Sequence, residues 1–175
     1  MSTPCQSETM GIDPGALVTI TEEILVRLRA LYAEYGVPLP SRCYWTLGDP
    51  AVDCEQAVVS FQSYEEHDLS AQQTNATPNP CAVLTKATFT ISITRCAPAL
   101  SKYGDPPTPK QIMDTAKLCL VDAHLLMKGS CRFDMYGADI PGAITGGWGA
   151  NASVQGAAPH GDFRTTTLQF TTILG

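Results

Sequence analysis

Residues 87–128 leave this chain little choice of local structure. Thr88 to Arg95 reads T-F-T-I-S-I-T-R, with Phe89, Ile91 and Ile93 alternating against Thr88, Thr90, Ser92 and Thr94. A period of two puts the apolar residues on one face, as a half-buried antiparallel strand requires. Cys96-Ala97-Pro98 and Tyr103-Gly104-Asp105-Pro106-Pro107 cannot extend a sheet, because proline has no ladder donor. Thr108 then offers a helix cap, with Pro109 at the first helical position and Gln111 completing a capping box. The spacing predicts a helix over Pro109–Lys128, with Ile112, Ala116, Cys119, Ala123 and Leu126 as its apolar stripe and Gly129 as its stop. This segment carries no catalytic grammar. It reads as scaffold.

The rest of the chain repeats the pattern of helix followed by strands. Residues 1–12 are small and polar and read as a flexible arm, leaving 13–175 as a single domain. Asp13 as N-cap, Pro14 at the first helical position, and the stripe Leu17, Ile20, Ile24, Leu28, Leu31, Tyr35 predict a helix ended by Gly36 and Pro38. Arg42–Thr46 reads as a short strand, with Tyr44 and Trp45 buried under that helix, and Ala57–Tyr64 as a second strand. Glu65–Pro80 is polar and long, the composition of a partner-contact loop or a hairpin tip. Near the C-terminus, Ala143–Trp148 and Ser153–Gln155 suggest short or bulged strands. Phe163–Leu174 alternates as a last strand, Leu168, Phe170 and Thr172 against Thr167, Gln169, Thr171 and Ile173. The fold class is therefore α+β, a mainly antiparallel sheet packed against two amphipathic helices.

Composition narrows the function. A net charge of −6, with Lys and Arg scattered singly, argues against a general nucleic-acid binder, which neutralises phosphates with basic patches. No apolar run approaches the roughly 18 residues of a membrane span, and Met1–Pro4 lacks the basic start of a signal peptide. Seven cysteines (5, 43, 54, 81, 96, 119 and 131) stand at least ten residues apart with no C-x-x-C, unlike the clustered ligands of zinc sites. Most of them read as buried thiols, Cys96 and Cys119 in small apolar positions, with oxidation after release from the cell open to a pair such as Cys43 and Cys54. His67 lies in Glu65-Glu66-His67-Asp68, a solvated charge run more than an acid/base cluster; Asp122 and His124 point to different sides of a helix; His160 and Asp162 mark a turn. No nucleophile elbow, phosphate loop, dinucleotide fingerprint or zincin motif occurs. The expectation is a non-enzyme without cofactor or metal.

Several short elements resemble the small head-to-tail connector proteins of long-tailed phages, in particular tail terminators of phages infecting actinobacteria. They are the first amphipathic helix, Val52-Asp53-Cys54-Glu55-Gln56-Ala57-Val58-Val59, the Arg-x-x-Pro element Arg95-Cys96-Ala97-Pro98, Gly104–Pro109, and Asp122-Ala123 on the second helix. The likeness covers roughly residues 17–128. It implies a structural virion protein at the head–tail junction, assembled in the host cytoplasm. Such a protein forms a homo-oligomeric ring, usually a hexamer, that caps the tail tube. Its partners would be the major tail tube protein and a head-completion or stopper protein, with DNA only passing through the lumen and no membrane. On this view the arm and the 65–80 segment are the partner contacts, in particular Glu65, Glu66, His67, Asp68, Gln72, Gln73 and Asn75.

Three other roles stay open on sequence. One is another connector layer, an adaptor, stopper or minor virion protein. A second is a small cytoplasmic enzyme using Asp53, Glu55 or the Glu65–Asp68 cluster. A third is a secreted disulfide protein.

Overall fold

The computed structural model describes residues 14–53, 55–68, 83–133, 152–160 and 163–174. The elements run α1 (Pro14–Glu34), β1 (Cys43–Leu47), β2 (Gln56–Asp68), β3 (Val83–Cys96), α2 (Pro109–Gly129), β4 (Ser153–His160) and β5 (Phe163–Leu174). The five strands form one sheet in the order β1-β2-β3-β5-β4, antiparallel except for the parallel β1–β2 pair. Both helices pack on one face of it, so the α+β expectation holds. The expected arm over 1–12, and the expected strand over 143–148, lie outside the described residues.

α1 buries Ile20, Ile24, Leu28 and Leu31, as its three-and-four spacing predicts, but its last core residue is Tyr32 while Tyr35 is exposed. The helix stops where Gly36 takes a φ of +63°. There the Val37 amide donates to the Tyr32 carbonyl and the Gly36 amide to the Ala33 carbonyl, a left-handed glycine cap. β1 follows on the sheet edge, and Tyr44 and Trp45 are not covered by α1 as expected. Trp45 stays 37% exposed, and Tyr44 faces the other side of the sheet, where its hydroxyl donates to Gln56 Oε1. Residues 48–55 then return the chain to begin β2, shorter than the dozen residues of an ordinary parallel crossover. They run over the outer face, where Gln56 Nε2 donates to the Ala51 carbonyl.

β2 corrects the sequence reading twice. Ala57, Val59 and Phe61 face the helices opposite Ile93, Ile91 and Phe89, but a bulge at Gln62 moves Ser63 to the other face, opposite Thr88. The strand then continues through Glu65, Glu66, His67 and Asp68, which pair with Lys86, Thr85, Leu84 and Val83. These four residues are strand and not loop. Their low β propensity is outweighed by a complete ladder against β3, with Glu65 directly opposite Lys86.

β3 and β5 carry the core face as their alternation predicts: Ala87, Phe89, Ile91 and Ile93 on β3, Leu168 and Phe170 on β5. Phe61, Phe89, Phe170 and Phe133 follow one another at centroid separations of 5.6, 5.8 and 6.0 Å, within the range of favourable ring pairs. The opposite face is a hydroxyl ladder, with Thr88 against Thr171 at 3.3 Å and Thr94 against Thr165 at 3.1 Å. β4 is bulged between Gln155 and Ala158.

α2 opens on the expected capping box: the Gln111 amide donates to Thr108 Oγ1, and the Thr108 amide donates to Gln111 Oε1 at 2.8 Å. Its buried face is Cys119, Asp122, Leu125, Leu126 and Gly129, whereas Ile112 and Ala116 of the expected stripe are exposed. Gly129 also differs from its reading as a stop. It stays helical and lets α1 approach, since a Cβ there would lie 2.4 Å from Leu31 Cδ2 and 3.3 Å from Phe133 Cε2. A Gly129→Val variant is expected to lose about 1–3 kcal/mol by overpacking, read as a lower denaturant midpoint in chemical unfolding.

Candidate functional site

Among the described residues, the one buried charged cluster joins three elements. Arg95, at the end of β3, points into the helix layer and is met by Asp122 of α2 in a two-point pair. Nε donates to Oδ2 and Nη2 to Oδ1, both at 2.9 Å. Arg95 is 4% exposed and Asp122 not at all. Tyr32 of α1 donates its hydroxyl to Asp122 Oδ1 at 2.9 Å, and Arg95 Nη2 also reaches the Pro38 carbonyl just beyond α1. Burial, then the neighbouring Asp122 carboxylate, pushes the Tyr32 phenol far above its ordinary range, so it stays a donor. Burial by itself would lower the Arg95 guanidinium, but the Asp122 hydrogen bonds and charge outweigh it.

This cluster is a brace and not an acid/base pair. Its donors and acceptors are turned on one another, and a guanidinium does not give up a proton in this setting. Two of the five elements singled out in the sequence, Arg95-x-x-Pro98 and Asp122-Ala123, hold the two ends of this single ion pair. Sequence reasoning noted both and missed the link. The available signal was an arginine continuing the buried register of Phe89, Ile91 and Ile93.

The candidate contact residues are divided. Glu65 is exposed on β2, Glu66, His67 and Asp68 follow it on that strand, and Gln72, Gln73 and Asn75 lie outside the described residues. The carboxylates considered for acid/base work are engaged elsewhere. Asp53 pairs with Arg42 at 2.6 Å, and Glu55 accepts the Cys96 amide at 3.0 Å. Among the described residues no three His, Cys, Asp or Glu side chains gather as a metal site, and no helix is long and apolar enough to cross a membrane. Cys43 is half-buried, Cys119 is buried, and Cys96, expected inside, is exposed; Cys54 lies outside the described residues. Burial pushes the Cys119 thiol up, away from nucleophilic thiolate.

What the surface does offer is apolar. The first half of α2 leans over the end of the sheet and leaves a groove of about 580 Å³. Ile112, Ala116, Leu120 and Ala123 of α2 line one side, Pro98 and Pro107 another, and Arg164 of β5 reaches in from the sheet. Leu120 is 70% exposed. At the opposite sheet edge, Leu47 at the end of β1 is 72% exposed.

Two results are expected of the brace. Asp122→Asn leaves the Arg95 charge buried without a counter-charge and should cost about 3–5 kcal/mol in denaturant unfolding. Tyr32→Phe tests the alkaline limb. The folded state holds the phenolic proton more tightly than the unfolded chain, so its contribution is complete below about pH 10 and is lost as pH rises further. The wild type should destabilise between pH 10 and 11 more steeply than Tyr32→Phe, read from thermal midpoints across that range.

Among known proteins, no family model matches this chain and no curated protein matches it, so the roles of these surfaces follow from their own chemistry.

Proposed function

We propose that this chain is a structural protein of a long-tailed phage, a tail terminator that forms a ring at the head–tail junction. The observation that carries the reading is the pairing of a cross-braced two-layer core with exposed apolar surfaces at opposite edges of its sheet, Leu47 beside β1 and the α2 groove beside β4. Surfaces on opposite edges suit head-to-tail association, which generates a closed ring when the rotation between copies closes.

The remaining features support the same reading. The charged groups of the brace are spent inside the fold, which leaves the apolar surfaces as what the described residues offer to a partner. A chain with net charge −6 suits a passage that DNA crosses without being held, because tight phosphate binding needs clustered cations. Its partners on this reading are further copies of itself, the major tail tube protein on one side and a head-completion protein on the other.

The test is joining. In cells infected with a phage whose copy of this gene is inactivated, heads and tails should accumulate separately by electron microscopy. Adding the purified chain to that lysate should restore joined particles. Efficient joining without the protein would overturn the proposal.

A further inference from the structure

The α2 groove holds a cation, Arg164, to which the described residues supply no carboxylate. Arg164 of β5 stands directly opposite Arg95 of β3 in the sheet register, and both lie on the helix side. Asp122 is committed to Arg95 by two hydrogen bonds and to Tyr32 by a third. Among the described residues Arg164 has no carboxylate partner. Arg164 lines the groove together with Ile112, Ala116, Leu120, Pro98 and Pro107. An apolar groove with one uncompensated cation calls for an occupant that is apolar and carries a single carboxylate.

The chain presents such a group at its other edge. Leu47 ends β1 at 72% exposure, Gly48 turns the backbone with a φ of +65°, and Asp49 follows on the surface. The Asp49 carboxylate is held only by a neutral donor, Gln62 Nε2 at 3.3 Å, whereas Asp53 and Glu55 of the same connection have a cation and a backbone amide. We infer that the Leu47–Gly48–Asp49 corner of one copy seats in the α2 groove of the next, Leu47 against Leu120 and Ile112 and Asp49 on Arg164.

The corner does not reach the groove of its own copy. Leu47 is level with Phe61, Phe89 and Phe170 across the sheet, six positions along β5 from Arg164 and three strands away. That is about 20 Å along the strands at 3.3 Å per residue and about 14 Å across them.

This inference rests on the ring reading and names the contact within it. The full chain and its variants are compared by sedimentation, alone and mixed with tail tubes. Asp49→Arg should raise the concentration needed for association at least about tenfold, and adding Arg164→Glu should restore most of it. Because Arg164→Glu faces Arg95 and could draw it from Asp122, Leu47→Asp at an exposed position tests the contact separately and should dissociate the ring as well. Rings that persist in both Asp49→Arg and Leu47→Asp overturn this contact while leaving the ring reading in place. A wild-type chain that stays monomeric alone and on tubes overturns both.

Discussion

The Arg95–Asp122 ion pair is the constraint around which the layers are arranged. A buried charge pair is weak evidence for stability in itself, since removing two ions from water costs about as much as their attraction returns. Its value here is positional. Asp122 oxygens take two hydrogen bonds from β3 and one from α1, and Arg95 takes the carbonyl of Pro38, so sheet, both helices and the turn after α1 share one site. A slip of α2 by one residue would leave a bare charge inside, which the apolar contacts alone would not penalise so heavily. The Gly129–Leu31 approach makes the same demand from the other end of α2. At that end Arg132 pairs with Glu34, and Arg27 donates to the Arg132 carbonyl at 2.8 Å.

Much of the fold was readable because it is local. The two-residue alternation of β3 and β5, the Thr108–Gln111 box and the Gly36 cap each declare themselves within a few residues, and each stands in the structure as read. What failed is non-local. Glu65–Asp68 looks like loop until Val83–Lys86 lies beside it, and the bulge at Gln62 depends on the register of two strands. Ile112 and Ala116 keep helical spacing, yet both are exposed beside the α2 groove, so periodicity marked an apolar face without showing whether the fold covers it. Tyr32 lies in the last turn of α1 and Tyr35 just beyond its end, and it is Tyr32 that meets the buried Asp122.

The candidate site was less legible still. Sequence pointed to the polar 65–80 segment, because polar length is the visible sign of a contact loop. The surfaces that the fold builds are apolar, drawn from β1, β5 and α2, which are far apart along the chain. Their common feature is mismatch: leucines in water, and an arginine beside another arginine whose carboxylate is already taken. Such mismatches are costly in a lone subunit and are relieved by association. A protein that works by its surfaces would keep them.

The proposed role requires that this chain act as a closed homo-oligomer. Native mass measurement of the intact chain, free and after addition of tail tubes, tests it most directly. One discrete closed assembly of about six copies is expected in at least one of the two conditions. A monomer in both, or a two-fold dimer that grows no further, would contradict it.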